Sequence, residues 1–316
     1  MPSCFKLNGR NMKRPGFTLI ELCVVIGIIA LLLALAIPAI LHSREASRQI
    51  QCKDRLRQVS LGCLGFEAAN RHLPHSANSP KPMPVALLPY LEQQSLYNNF
   101  HTWRETWETG AEFSPPAVYV CPSDSENSRP GPIDAGALWG MNYVANAGTG
   151  FTRAGYDGLF GVAMERISLR QIRDGLSNTS LLSECLVAAA DDSVRFGAVY
   201  NLPYPIYEPE RFPELMDAVA SVHLSGASLH HLHSRGRPWT DANDFIRVFH
   251  HALGPNSNSA FNFQSVQGGL YSTASNHVGA VNLSFVDGSV TSISNEISPA
   301  AWWAMGSRDG GDSVVE

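Results

Sequence analysis

The residues with the most obvious capacity for chemistry are histidines. The stretch "SVHLSGASLHHLHSRGRPW" places His223, His230, His231 and His233 within eleven residues, and His250 and His251 follow as a pair. Imidazole nitrogens at that density could bind zinc or another transition metal, and a membrane-tethered metal-dependent hydrolase is the function class they would imply. The rest of such a centre is missing: no His-Glu-x-x-His occurs and no acidic residue lies among the four, so the cluster reads as structural and no metal is assigned. Calcium fares no better, because "RDGGD" offers Asp309 and Asp312 against the roughly six to eight oxygens that the ion takes. A Gly-x-Ser-x-Gly elbow, a Walker A loop and a dinucleotide-binding glycine pattern are all absent. No catalytic residue, no cofactor and no enzymatic activity is therefore expected.

Glu21 marks a different kind of chemistry. It is the only charged side chain among residues 17–41, within "KRPGFTLIELCVVIGIIALLLALAIPAI". A helix of that length reaches roughly 37 Å, enough to cross a hydrocarbon core of about 30 Å. Lys6, Arg10, Lys13 and Arg14 precede the run with no acidic residue before Glu21, which orients the leader to the cytoplasm and exports the rest. A secretory signal peptide shares this polarity, but its apolar region is usually about 7–15 residues long and closes on a small-x-small cleavage site, which "IPAILHSREASRQ" lacks. A plain signal anchor would gain nothing from a carboxylate, which costs about 2.5–3.5 kcal/mol at the bilayer centre and less near the interface.

The stretch "RPGFTLIELCVVIGIIALLLALAIP" resembles the type IV prepilin and type II secretion pseudopilin signal: a basic leader, then Gly-Phe-Thr-Leu-Ile-Glu, then a hydrophobic helix. The resemblance implies that a prepilin peptidase cuts after Gly16 and that Phe17 becomes an N-methylated terminus. It also implies that Glu21 pairs with the amino terminus of a neighbouring subunit during assembly. Further along, "SREASRQIQCKDRLRQVSLG", "ALLPYLEQQSLYNNF", "YVCPSD", "GLSNTSLLSE", "SNHVGAVNLSFVDGSV" and "SRDGGD" follow one another in the order seen in the DUF1559 family of pilin-like proteins, abundant in planctomycetes. That family carries a pilin-like architecture and no established biochemical activity.

The elements that must position these residues can be read from periodicity. Cys52, Leu56, Val59, Cys63 and Phe66 recur at spacings of four and three, an apolar stripe that continues the helix beyond the membrane and docks it on the exported part. Pro38 either loosens the helix or ends the span at the interface. The prolines of "RHLPHSANSPKPMP" then stop the helix. In "AVNLSFVDGSVTSIS", Val281, Leu283 and Phe285 alternate, Asp287-Gly288 reads as a two-residue type I′ turn, and Phe285 faces Val290 across the ladder. His277 in "SNHVGA" lies beside this sheet as a loop residue, while "PSDSENSRPGPIDAG" and "NLPYPIYEPERFP" read as long connections.

Six cysteines are present; Cys4 lies in the leader and Cys23 in the apolar run, leaving Cys52, Cys63, Cys121 and Cys185 for the exported part. Cys52 with Cys63 is rejected, because eleven residues along one helix separate them by about 16 Å, far beyond the roughly 4.4–6.8 Å between bridged Cα atoms. An oxidising compartment favours a bridge from the helix to Cys121, with Cys52–Cys121 preferred; four reduced, buried thiols are the alternative. Without the four basic residues of the leader the formal charge falls from −5 to −9, the wrong sign for gripping phosphates, so no nucleic acid is expected as a partner.

The expected organisation is a cytoplasmic prepilin leader over 1–16, a transmembrane helix over 17–41, its extramembrane continuation over 42–72 and an exported head over 73–316. The expected fold class is α+β and pilin-like, a long N-terminal helix packed on a loop-rich head with an antiparallel sheet. The protein is expected in the inner membrane as a single-pass subunit of a type II secretion or type IV pilus-like assembly, its head periplasmic or at the cell surface. Its partners would be prepilin peptidase and other pilin-like subunits. A membrane-anchored binding protein that uses the signal only for export is the alternative, and the size of the head speaks for it.

Overall fold

The computed structural model describes residues 18–74, 81–100, 113–124, 131–133, 136–149, 157–160, 166–187, 199–202, 211–222, 235–240, 247–261 and 269–310. The first element, α1, runs Leu19–Asn70 and continues through Pro38, so the proline does not end the helix. It stops where Arg71 turns to a left-handed φ of 67°. The chain forms two compact units, Met1–Ala46 and Ser47–Glu316.

In the second unit the helices after α1 are short: α2 (Met83–Leu87), α3 (Gln94–Tyr97), α4 (Phe212–Ala220) and α5 (Pro299–Ala304). The strands are β1 (Gly131–Ile133), β2 (Gly136–Leu138), β3 (Tyr143–Asn146), β4 (Ser180–Glu184), β5 (Val199–Asn201), β6 (Val248–Phe249), β7 (Ser259–Phe261), β8 (Ala280–Phe285) and β9 (Val290–Ser294). The main sheet has the order β6-β3-β4-β8-β9. It is antiparallel at every joint except β3–β6, so the expected antiparallel sheet is in fact mixed. A parallel joint needs a crossover of a dozen residues or more, and about a hundred residues separate β3 from β6. The two segments read as connections also contain structure: β1 lies inside the first, and the second leads into α4.

Both faces of the main sheet are covered. On one, the stripe of α1 buries Cys52, Leu56, Val59 and Cys63, and Tyr143 of β3 donates its hydroxyl to the Cys52 carbonyl at 3.1 Å. Glycine allows a close approach here: a Cβ on Gly62 would stand 3.1 Å from Leu91 in the 3-10 turn Leu88–Leu91. On the opposite face Val144, Val281, Leu283, Phe285 and Ile293 form a cluster with Trp302 of α5. A smaller core joins Leu215 and Val219 of α4 to Tyr200 and Ala260 of the parallel pair β5–β7.

Because β8 is a central strand, the alternation of Val281, Leu283 and Phe285 separates two buried faces rather than inside from outside. Asn282 and Ser284, on the α1 side, are fully buried. Ser284 bridges an irregularity in β4, its hydroxyl accepting from the Leu182 N–H at 3.0 Å and donating to the Leu182 carbonyl at 3.2 Å where the register shifts between Ser180 and Leu182. The hairpin after β8 differs from the expected two-residue turn. Val290 pairs with Ser284 rather than Phe285, and the Gly288 N–H donates to the Phe285 carbonyl at 3.0 Å. Gly288 alone of the loop residues Val286–Gly288 has a positive φ, 83°, the pattern of a three-residue loop with a glycine bulge.

His250 and His251 are buried in the core and are not exposed for metal binding. His251 stacks on Trp302 with ring centroids 4.0 Å apart and places Nε2 2.8 Å from the Ser180 hydroxyl. Burial pushes both imidazoles down to about 3, helped at His250 by the Arg235 guanidinium and at His251 by His250.

This packing can be tested in two ways. Leu56→Ala, at a fully buried position on α1, should lower the unfolding free energy by about 2–5 kcal/mol, whereas Ile50→Ala on the exposed side should change it by less than about 0.5 kcal/mol. Urea titrations that return equal losses for the two would contradict the docked stripe. For the histidines, the folded pKa lies below the unfolded value of about 6.5, so the unfolded chain binds more protons and stability is full above that pH. It should then decline as pH falls toward 3, by up to about 1.4 kcal/mol per unit for each ring. Urea midpoints should already drop between pH 6.5 and 5, before most carboxylates titrate, and His251→Gln should shallow the slope; a flat midpoint across that window would refute the assignment.

Candidate functional site

Two parts of the chain gather chemistry. The first begins at Thr18, since Gly16 and Phe17 lie outside the described residues. Thr18 and Glu21 form a capping box: the Glu21 Oε2 accepts from the Thr18 N–H at 2.9 Å and from its hydroxyl at 2.8 Å, while the Thr18 Oγ1 accepts from the Glu21 N–H at 3.3 Å. Two otherwise unpaired donors at the helix start are thereby satisfied, and the carboxylate sits where the helix dipole favours negative charge. From there to Leu41 the helix is apolar on every side. Leu19 is 77% exposed, Leu35 69% and Leu41 60%. α1 is long and apolar enough to cross a membrane, and none of that segment is buried in the protein.

The second part lies deep in the Ser47–Glu316 unit, where four elements converge. Cys52 of α1 and Cys121 form a disulfide with Cα atoms 5.2 Å apart. Beside it, His277 Nε2 stands 3.7 Å from Cys121 Sγ and 3.4 Å from Glu184 Oε1 at the end of β4. Glu184 is held from β8: Asn282 donates its backbone N–H to Oε2 at 2.9 Å and its side-chain amide to Oε1 at 3.0 Å. All four residues are buried.

The loops that deliver Cys121 and His277 are fixed by their own polar side chains. Asn142, just before β3, accepts the Cys121 N–H on Oδ1 at 2.6 Å and donates Nδ2 to Asp124 at 2.8 Å and to the Cys185 carbonyl at 2.8 Å. Asp124 in turn accepts the Val187 N–H at 2.9 Å. Arg55 of α1 donates to the Val120 carbonyl at 2.7 Å. The Asn276 amide donates to the Ser123 carbonyl at 2.9 Å, and the His277 N–H donates to Ser275 Oγ at 3.1 Å. "YVCPSD" and "SNHVGA" are thus two halves of one polar knot.

Of the residues singled out in sequence, the structure brings together Cys52, Cys121 and His277. His223, His230, His231, His233 and Asp312 lie outside the described residues. Asp309 pairs with Arg173 at 3.0 Å on the surface. In "SRGRPWTD", Arg235, Arg237 and Trp239 are core residues. Cys63 and Cys185 remain free and buried; burial raises both thiols, Cys185 to about 12, and leaves them inert. Sequence reasoning missed Glu184 and Asn282, which only strand pairing places beside the cysteines. The available signal was a carboxylate closing an apolar strand, "SLLSE".

The bridge closes a segment of 69 residues, a constraint on the unfolded chain worth about 4 kcal/mol in the chain-entropy account and commonly about 2–4 kcal/mol in practice. Replacing both Cys52 and Cys121 by alanine should reduce the unfolding free energy by that amount in urea titrations. Equal midpoints for the two proteins would show that the bridge constrains nothing.

Comparison with known proteins bears on both parts. The prokaryotic N-terminal methylation motif matches residues 11–37, covering Gly16, Phe17 and Glu21, and implies processing by a prepilin peptidase. No curated protein and no solved structure matches the chain. A family model described as a protein of unknown function, DUF1559, matches residues 42–300, from the helix before Cys52 to the start of α5, and on that extent the chain belongs to the DUF1559 family.

Proposed function

We propose that the protein is a pilin-like structural subunit, cut after Gly16, methylated at Phe17 and assembled through α1 in a type II secretion or type IV pilus-like machine of the inner membrane. The observation that carries this reading is the apolar half of α1, exposed on all sides, with a single carboxylate in its first turn. Apolar surface of that extent needs lipid or other helices around it. The Thr18 bonds converge on Glu21 Oε2, so Oε1 can receive a second donor such as the ammonium of a neighbouring subunit's Phe17. Pairing of this kind offsets the expense of a carboxylate within the membrane. In this reading the Ser47–Glu316 unit is an exported, non-enzymatic head, periplasmic or at the cell surface.

Mass spectrometry of the N-terminus from native membranes, wild type beside Gly16→Ala, tests the processing. The mature protein should begin at methylated Phe17, and the variant should keep its leader. Cys23, exposed two residues after Glu21, is a native handle for the assembly step. Thiol-specific cross-linking in membranes should yield dimers through this one accessible thiol of the processed chain, and Glu21→Ala should weaken them. An intact Met1 in the wild type would overturn the prepilin reading. Processing without cross-linked dimers would favour a membrane-anchored binding protein that uses the signal for export alone.

A further inference from the structure

We propose that Cys52, Cys121, His277 and Glu184 form a zinc site in the reduced chain, and that oxidation of the two thiolates to the disulfide expels the metal. The disulfide by itself leaves two of its neighbours unexplained. It is neutral and apolar and asks for neither a carboxylate nor an imidazole. Yet Glu184 and His277 are both about 1% exposed in their side chains and converge on it. Burying a carboxylate is costly even when it is hydrogen-bonded, and a sheet needs none at this point.

The spacing fits a four-coordinate ion. A tetrahedral zinc with bonds of about 2.0–2.3 Å holds its ligand atoms roughly 3.3–3.8 Å apart. His277 Nε2 is 3.4 Å from Glu184 Oε1 and 3.7 Å from Cys121 Sγ, so two edges of the tetrahedron already have their length. All four ligand atoms lie within 4.8 Å of one another. The sulfurs, bonded to each other in the oxidised chain, must separate, and the remaining edges start within that same 4.8 Å.

The frame around the ligands does not depend on the sulfur–sulfur bond. Asn282 orients the Glu184 carboxylate, Asn142 holds the Cys121 backbone, and Arg55 ties the loop before it to α1. Such outer bonds are what a metal centre uses to aim its ligands. Two thiolates, an imidazole and a carboxylate form a soft donor set suited to zinc rather than to calcium or magnesium, and three negative charges are largely offset by the dication.

The exchange balances without redox change at the metal. An external disulfide takes two electrons from the zinc-bound thiolates; its sulfur–sulfur bond breaks into two thiolates as the Cys52–Cys121 bond forms, and Zn²⁺ leaves. In the reverse direction a dithiol reduces the bridge, and the released thiolates bind the ion. The same four residues would thus hold α1 to the sheet in either redox state, by metal or by covalent bond. Cys63 and Cys185 lie outside the set, since neither belongs to the cluster.

The test uses the full chain in detergent. Protein reduced with a phosphine and desalted after incubation with zinc chloride should retain about one zinc per chain, and the oxidised protein should retain almost none. Cobalt in place of zinc should give a thiolate charge-transfer band. His277→Gln should weaken zinc binding by at least about tenfold, while Cys63→Ser with Cys185→Ser should leave it unchanged. Should His277→Gln fail to fold, the wild type still decides: zinc should shield Cys52 and Cys121, and not Cys63 or Cys185, from alkylation as mapped by mass spectrometry. A reduced wild type that retains no zinc, or shielding confined to Cys63 and Cys185, would overturn the site.

Discussion

One helix has to satisfy two solvents. Over its first half every face of α1 is apolar, which suits hydrocarbon or the apolar faces of other helices; over its second half only a stripe is apolar, which suits docking on a sheet. Backbone hydrogen bonds are closed within a helix in either setting, so the element can pass from one environment to the other with only its side chains changing. The crossover falls near Ala46, where the chain divides into its two compact units. The sheet and its loops serve the docked half: β3 offers Tyr143 to the helix backbone, β9 offers Ser292 to Gln49 at 3.2 Å, and the loop at Cys121 is bonded to the helix covalently.

The buried interior of the sheet carries polar side chains on both faces. Asn142, Asn146, Ser180, Glu184, Asn282 and Ser284 are all buried. Each finds partners, because an unpaired polar group inside would lose its hydration without return. Asn146 donates to the carbonyls of Ser180 and Gly306 at 2.9 and 2.8 Å and so joins β4 to the chain after α5. Side chains of this kind achieve what strand pairing cannot: they define where irregular loops end. A sheet flanked by long connections needs such fixed points, and the short strands could not supply them alone.

How far the fold and the site are legible in sequence depends on the range of the interaction. The α1 stripe at Cys52, Leu56, Val59 and Cys63 is readable, since helical periodicity is local and a four-three spacing has one geometric meaning. The hairpin is half readable. Alternation locates β8 and β9, but Asp287-Gly288 suggests a two-residue turn although the pair is compatible with two loop lengths, and the partner register alone separates them. The parallel β3–β6 joint is invisible, since nothing near Val248 records that it will meet Ala145 about a hundred residues earlier. His277 reads as a loop residue at the sheet edge, because its burial depends on Glu184 and Cys121, both distant in sequence. The histidine pair at 250–251 misleads in the opposite way: residue type suggests ligands, while the packing against Trp302 and Tyr271 makes them neutral core rings.

The positions of the cysteines explain why the docked half of α1 needs a fastening beyond its stripe. A helix held by a narrow row of apolar residues can slide by a turn with little loss, because i and i+4 positions are nearly equivalent along the row. Cys63 and Val59 would accept such a shift in chemical type. Cys52 would not, since its sulfur reaches Cys121 with the Cα atoms at 5.2 Å, and a shift of one turn, about 5.4 Å along the axis and across that separation, would stretch it to about 7.5 Å, beyond the roughly 4.4–6.8 Å that a disulfide spans. Tyr143, which bonds the carbonyl of the same residue, marks the same register from the sheet. The covalent and the polar contact therefore select one alignment among several of similar hydrophobic energy, and the apolar stripe supplies the adhesion that the selected alignment retains.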